Sequence, residues 1–215
     1  MPKNLVASAA DFLPVRKTLP ALREAAKSCR GCDLWKRGTQ TVFGEGQPGA
    51  EVMMVGEQPG NDEDLQGRPF VGPAGRILDK ALAAAGIDRD DVYVTNVVKH
   101  FKWEPRGKRR IHKKPSGMQI AACRPWFAEE VQVVKPKVIV ALGATAAQAL
   151  LGRDFRVTQS RGKVISTGAI PIIATVHPSS ILRAPDDDTR HAEMASFIDD
   201  LRVVAAQAGR RKKAA

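Results

Sequence analysis

The chain has 215 residues, of which 43% are hydrophobic, and it carries a formal net charge of +11. This length fits one domain with a substantial core, and no stretch approaches the roughly 18 consecutive apolar residues of a membrane span. The first residues also lack the pattern of a secretory signal, so we expect a protein of the reducing cytoplasm. We also expect it to act as a monomer. The excess of Lys and Arg favours polyanionic partners, because each neutralised phosphate releases a counterion. We expect residues 1–207 to form a single domain and residues 208–215 to form a basic, disordered tail.

Four apolar runs rich in β-branched residues predict buried strands, over Glu51–Gly56, Asp91–Val98, Lys137–Gly143 and Pro171–His177. Apolar residues at helical spacing predict helices over Leu22–Ala26, Ala74–Ala85, Ser116–Val134, Ala144–Leu151 and Thr189–Ala206. Because strands and helices alternate, we expect an α/β fold of three layers, with a central, mainly parallel four-stranded sheet between helices.

Unusual polar motifs begin where three of these strands end, at Gly56–Gly60, Asn96–His100 and His177–Ser180. In parallel sheets with helices on both faces, the functional site lies beyond the carboxyl ends of the strands. The sequence therefore predicts one crevice that is shared by the three motifs.

Cys29 and Cys32 form a C-x-x-C pair, and Cys123 stands much later in the chain. The simplest interpretation is a loose thiol pair and a buried core cysteine. A redox-active pair usually follows a strand at the start of a helix, whereas this pair follows a helical pattern, which favours metal ligation. Zinc or a cubane cluster would need a fourth ligand, and His100, directly after the Thr95–Lys99 segment, is the candidate.

Four motifs, taken in order, resemble those of the family 4 uracil-DNA glycosylases: Gly56–Gly60 (GEQPG), Gly67–Gly72 (GRPFVG), Thr95–Lys99 (TNVVK) and His177–Ser180 (HPSS). The resemblance covers nearly the whole chain from Cys29 onward. It implies excision of uracil from DNA and a 4Fe–4S cluster held by four cysteines, the third of which follows the T-N-x-x-K segment. This sequence has His100 at that position, and imidazole also binds iron in Rieske centres. The ligands implied are therefore Cys29, Cys32, His100 and Cys123.

The resemblance also implies roles for the crevice residues. Cleavage of the glycosidic bond builds positive charge on the sugar and negative charge on the base, so the nucleotide must be flipped out and both charges stabilised. Phe70 resembles the aromatic residue that stacks on uracil, and Asn96 resembles the amide that reads N3–H and O4. His177 would donate to uracil O2, and Glu57 would stabilise the oxocarbenium-like sugar. Taken singly, Phe70 and His177 are as typical of core residues, and Asn96 of a turn cap.

Further contacts follow from the same resemblance. Gln58 is expected beside the uracil, together with His177. The residues expected to contact DNA phosphates after the last strand are Ser179, Ser180 and Arg183.

A basic run, Arg106–Lys114, lies between the Asn96 strand end and the helix that carries Cys123. The simplest interpretation is a solvated loop whose cations contact phosphates, among them Lys108, Arg109 and Arg110. His112 is the only polar side chain in the run that is not permanently cationic. Its cationic neighbours disfavour the imidazolium and so keep a neutral, nucleophilic ring.

The KRRIH sequence of Lys108–His112, together with Gln58, resembles the UdgX branch of this family. In that branch the loop histidine captures the sugar C1′ after uracil departs, and an N-alkylated imidazole leaves poorly. The resemblance thus implies a covalent adduct between His112 and uracil-containing DNA, including single-stranded DNA. Two alternatives stay open: an ordinary turning-over iron–sulfur glycosylase in which His112 only contacts phosphate, and a noncatalytic, cluster-bearing nucleic-acid binder.

Overall fold

Five strands form the central sheet of the computed structural model, which describes residues 8–166 and 168–209. In chain order they are β1 (Val52–Gly56), β2 (Val92–Asn96), β5 (Val138–Leu142), β6 (Val164–Ile165) and β7 (Ile172–Thr175). Their spatial order is β2-β1-β5-β7-β6, with every neighbouring pair parallel except β7 and β6. The mainly parallel sheet is confirmed. The fifth strand, β6, was not predicted, because two residues are too short to give an apolar run.

Helices cover both faces of this sheet. One face packs against α1 (Leu19–Ala26), α4 (Gly117–Val134), α5 (Ala144–Leu151) and the short α6 (Val157–Ser160). The other packs against α3 (Pro73–Ala84), α7 (Pro178–Leu182) and α8 (Asp187–Gly209), while α2 (Asn61–Gln66) follows the end of β1. The three-layer α/β architecture is therefore confirmed.

The strands supply both apolar cores at once. All five residues of β1 are buried. Met53 and Val55 face the α1–α4 side, whereas Val52 and Met54 face the α3–α8 side, because successive side chains of a strand point to opposite faces. A strand buried on both faces reads as an unbroken apolar run, which is why these strands could be predicted from sequence.

The start of α4 and the end of α8 concern two segments considered in the sequence, the turn before the Cys123 helix and the basic tail. A capping box between Ser116 and Gln119 starts α4 and so fixes the turn that leads toward Cys123. Helix α8 continues through Gly209, so the expected tail begins as helix, and residues 210–215 lie outside the described part of the chain. Across the described ranges, no helix combines the length and apolarity needed to cross a membrane.

The basic run that the sequence presents as a loop is a β-hairpin. Strands β3 (Trp103–Arg106) and β4 (Arg109–His112) pair antiparallel, with Trp103 opposite His112. Gly107 lies in the turn at φ +59°, a conformation that favours glycine. The density of charge hid the strand pattern, because few apolar residues in the run could show alternation. The hairpin therefore holds His112 at a defined register instead of on a free loop.

Candidate active site and cysteine region

A cavity of about 750 Å³ lies at the carboxyl ends of the parallel strands. Glu57 follows β1, Asn96 ends β2, Gly143 follows β5 and His177 follows β7, and all four line the cavity. The other side is lined by Phe70, His112, Ser179, Leu182 and Arg183. The structure thus brings the three predicted strand-end motifs, the aromatic loop and the hairpin histidine around one space.

Gly56 lets the side chains of Asn96 and Phe70 approach the backbone. A Cβ atom at this position would overlap Asn96 Oδ1 and Phe70 Cζ. Within the described chain, the Asn96 carboxamide has no hydrogen-bond partner, so it can bind a base that enters the cavity. Phe70 has φ +56°, and its carbonyl leaves no room for a Cβ on Gly75. The positions of Asn96 and Phe70 therefore require glycine at positions 56 and 75, where a side chain would not fit.

His177 presents a defined protonation state. The Ser179 amide donates to His177 Nδ1 at 3.2 Å, so Nδ1 carries a lone pair and the ring proton is on Nε2. Burial lowers the pKa of His177 to about 4, and the Arg183 guanidinium acts in the same direction. The ring stacks 6.1 Å from Phe70 between centroids. His177 can therefore donate one neutral hydrogen bond beside the stacking aromatic.

His112 and Glu57 face each other across the cavity. His112 Nε2 lies 3.6 Å from Glu57 Oε1, and that oxygen is buried without a hydrogen-bond partner. Burial lowers the pKa of His112, and Arg183 adds to the effect, while Glu57 opposes it. A neutral ring was expected from the Lys neighbours, but burial and Arg183 are the causes that the structure gives. The pair can move a proton from the imidazole to the carboxylate as the ring forms a bond.

The side chain of Gln58 binds the hairpin. Its amide nitrogen donates to the carbonyls of Lys102 and Lys113, both at 3.1 Å, and its oxygen accepts from the Lys102 amide. Both amide protons are therefore used at the base of the hairpin. Gln58 also lines the cavity, so it clamps the two strands that carry His112 at the edge of the space where uracil is expected.

Arg110 likewise anchors the hairpin. Its Nη1 lies 2.6 Å from Asp64 Oδ2, a fully buried carboxylate, and its Nε donates to Asn61 Oδ1 at 2.8 Å. The guanidinium also lies over the Phe101 and Trp103 rings. Most of its donors are engaged inside the protein, so Arg110 fixes the hairpin to α2. Asp64 was missed in the sequence, where it is one acid among several after the GEQPG motif.

The remaining predicted phosphate contacts differ in exposure. Lys108, Arg109 and Arg183 are exposed. Ser180 Oγ donates to the His177 carbonyl, and Ser179 Oγ lies 2.8 Å from His177 Nδ1, so both hydroxyls help to hold the turn. Only the three cations are presented freely enough for contact with a backbone phosphate.

The three cysteines lie in the core between the sheet and the α1–α4 layer. Burial raises the pKa of Cys123 to about 12, and the neighbouring Cys32 and Cys29 thiols add to that shift, so the three sulfurs lie within electrostatic range. Cys29 Sγ accepts from Trp126 Nε1 at 3.2 Å, and Cys123 Sγ accepts from the Lys99 amide at 3.3 Å. N–H donors of this kind stabilise cluster sulfurs.

His100 follows Lys99 directly and is buried. Burial lowers the pKa of His100 to about 4, which keeps the ring neutral as a metal ligand must be. In the described ranges, no three His, Cys, Asp or Glu side chains are arranged to hold a single metal ion. A cubane cluster binds each ligand to a separate iron, so its ligands stand farther apart than those of one ion. Three thiols and a neutral imidazole fit that donor set.

A buried ion pair that sequence reasoning missed supports both regions. Lys99 Nζ lies 2.6 Å from Glu130 Oε2, and it donates to Asn96 O at 2.8 Å and to Thr95 Oγ1 at 2.6 Å. Through its own amide, Lys99 also contacts Cys123. Glu130 lies 31 residues away on α4, so no local pattern joined the two charges. The only signal is a charged residue on an otherwise buried helical face.

Comparison with known proteins gives consistent matches. The model of the uracil DNA glycosylase superfamily matches residues 43–202. The Type-4 uracil-DNA glycosylase of Thermotoga maritima is 40% identical over 169 residues, which cover 78% of this chain and 84% of that protein. The Type-4 uracil-DNA glycosylase of Sulfurisphaera tokodaii is 37% identical over 178 residues (79% and 78%). That of Archaeoglobus fulgidus is 39% identical over 166 residues (74% and 80%).

Proposed function

The chain belongs to the uracil-DNA glycosylase superfamily, and from this premise we propose that it excises uracil from DNA and then bonds the abasic sugar to His112. The observation that carries the proposal is the position of His112. A hairpin clamped by Gln58 holds the ring at the cavity, 3.6 Å from an unpartnered oxygen of Glu57. The function is DNA repair on uracil-containing DNA, as in the UdgX branch that the hairpin sequence resembles.

Base recognition uses the groups at the ends of β2 and β7. A flipped uracil stacks on Phe70, while the Asn96 carboxamide accepts from N3–H and donates to O4. Cytosine offers the opposite pattern at these two positions, so a fixed amide rejects it. Lys99 Nζ donates a hydrogen bond to the Asn96 carbonyl and so helps to fix the Asn96 backbone.

Cleavage leaves a negative charge on the base and a cation-like sugar. As the bond between C1′ and N1 breaks, its electron pair leaves with uracil, and His177 Nε2–H donates to uracil O2. The Glu57 carboxylate stabilises the positive charge at C1′. A neutral imidazole already beside the cation competes with water because its effective concentration is high.

Trapping forms one bond and releases one proton. The lone-pair nitrogen of His112 bonds to C1′, which makes the ring an N-alkylated imidazolium. The proton on the other ring nitrogen then passes to Glu57 or to water, and the product is a neutral imidazole joined to the sugar. The leaving group for reversal is a poor one, so each protein molecule acts once.

The proposed cofactor is a 4Fe–4S cluster bound by Cys29, Cys32, His100 and Cys123. Its support is the gathered thiols, the N–H donors to two of the sulfurs and the neutral histidine at the end of the Asn96 segment. Held by these residues, the cluster would stabilise the segment that follows β2, and none of the steps above uses it. We further propose that the protein acts as a monomer in the cytoplasm and is associated with the nucleoid when bound to DNA.

The test is a denaturing gel of the protein mixed with single-stranded DNA that contains one uracil. The expected result is an adduct that survives boiling in detergent, with the DNA mapped to His112 by mass spectrometry and uracil release ending near one equivalent. His112→Gly should lose the adduct and release uracil with an abasic product. His191→Ala, which alters an exposed histidine on α8, should behave as the wild type.

The outcomes separate the alternatives. Uracil release with turnover and no adduct would show an ordinary glycosylase, and no release would show a noncatalytic binder. An adduct that forms at the wild-type rate in His112→Gly would place the nucleophile elsewhere and overturn the proposal.

A further inference from the structure

We propose that Thr41 fixes His100 in the tautomer protonated on Nε2, so that Nδ1 is the atom that binds iron. This inference rests on the proposed cluster and concerns a residue outside its ligand set. It comes from the protons that one buried hydroxyl group can supply.

Thr41 Oγ1 has two neighbours and one proton. It lies 2.8 Å from the carbonyl oxygen of Ala26 and 3.0 Å from His100 Nε2. The carbonyl can only accept, so the hydroxyl proton goes to Ala26. The hydroxyl must then accept from His100, which places the ring proton on Nε2.

The remaining nitrogen is left for a metal. A ligating imidazole is neutral and holds one proton, so with Nε2 protonated the lone pair is on Nδ1. Gly38 packs against the Cβ and Cδ2 side of the ring, and Thr41 binds the adjacent Nε2. No residue in the described ranges forms a hydrogen bond with Nδ1.

Two backbone contacts connect His100 to the segments that carry the cysteines. The Lys99 amide, one residue before His100, donates to Cys123 Sγ. The Ala26 carbonyl, which accepts a hydrogen bond from Thr41, also accepts one from the Cys29 amide at 3.0 Å. One hydroxyl therefore links the turn that carries Cys29 to the ring of His100, in the way that outer hydrogen bonds orient metal-bound histidines.

A cysteine at position 100 would need no such partner, because a thiolate has no tautomers. The replacement of a thiolate by His100 and the hydroxyl of Thr41 are thus two parts of one arrangement. Without the hydroxyl, Nε2–H loses its acceptor in a buried site and the ring is free to turn or to exchange tautomers.

The direct test labels histidine with ¹⁵N at Nδ1 or at Nε2 in protein purified with its cluster. With the cluster in a paramagnetic state, electron–nuclear coupling should be large for the Nδ1 label and small for the Nε2 label. A large coupling from Nε2 would overturn the assignment while leaving the cluster intact. Wild-type protein without iron would instead refute the proposed cluster, and this inference with it.

The second test uses variants and the rate of iron loss to a chelator. Thr41→Val, which keeps the shape and removes the hydroxyl, should lose iron roughly tenfold faster, the scale for removal of an outer hydrogen bond to a metal ligand. Thr41→Ser should lose iron at close to the wild-type rate. In a His100→Cys background the same Thr41→Val change should have no effect, which distinguishes a tautomer effect from general loosening. Equal effects of Thr41→Val in both backgrounds would overturn the proposal.

Discussion

At the scale of residues, one backbone amide determines which nitrogen of His177 can donate a hydrogen bond. The Ser179 N–H can only donate, so it occupies Nδ1 and leaves the proton on Nε2. Through the same hydrogen bond the His177 side chain caps α7, so formation of the helix also selects the tautomer. The proposed donor to uracil O2 is thus set before any substrate binds.

This arrangement predicts the pH dependence of bond cleavage. Burial lowers the pKa of His177 to about 4, so the folded protein keeps the ring neutral as the pH falls below the unfolded value of about 6.5. Uracil release by the His112→Gly variant, which isolates cleavage from trapping, should therefore change little between pH 7.5 and pH 5.5. An ordinary histidine would be about nine-tenths protonated at pH 5.5. A tenfold loss of single-turnover rate at that pH would show that His177 titrates normally.

At the scale of elements, the hairpin is attached to the domain by several side chains. Trp103 Nε1 donates to the Arg37 carbonyl at 2.9 Å. Gln58 binds the bases of β3 and β4, and Arg110 binds Asp64 on α2. None of these attachments involves Asn96, Phe70 or His177, the proposed base-recognition groups. Excision and trapping should therefore respond differently when the hairpin is loosened.

Asp64→Asn tests this separation. The change removes the charge that fixes Arg110, so His112 should be held less firmly, and trapping should slow about tenfold, a factor that requires only about 1.4 kcal/mol of lost positioning. Uracil release should fall much less, so abasic product should accumulate relative to adduct. The measurement is the ratio of the two products on a denaturing gel.

Gln66→Ala, at an exposed position of the same helix, serves as the matched control and should leave the ratio unchanged. If Asp64→Asn slows release and trapping by the same factor, the anchor supports the whole cavity and not the hairpin alone.

At the scale of the molecule, the sequence predicts the layers and the edge where the site lies. The strands and long helices are long apolar patterns, and their carboxyl ends meet because parallel strands share one edge. The hairpin was missed because its pattern is charged. The contacts of Gln58 and Arg110 within the protein could not be predicted, because their hydrogen bonds reach residues 44 to 55 and 46 positions away, respectively, which no local motif encodes.

The cations of the chain fall into two groups, those engaged within the fold and those exposed, which composition alone does not distinguish. The net charge of +11 includes cations that are engaged within the fold, such as Arg110 and Lys99, and cations that are exposed on the hairpin, such as Lys108 and Arg109. Only the exposed ones can exchange counterions with DNA. Affinity for DNA should therefore depend on salt through the hairpin tip and not through the total charge.

Replacement of both Lys108 and Arg109 by Ala should reduce the slope of log affinity against log salt concentration by up to about 1.4 to 1.8 for single-stranded or duplex DNA, since each phosphate contact contributes roughly 0.7 to 0.9. Measurement of binding to uracil-free DNA at several salt concentrations isolates this effect from the chemistry. Arg202→Ala removes an exposed cation from α8, which lines no part of the cavity, and should leave the slope unchanged. At saturating protein the double variant should still trap uracil-DNA at close to the wild-type rate, because His112 and its anchors are intact. An unchanged slope in the double variant would mean that the DNA backbone crosses another face of the molecule.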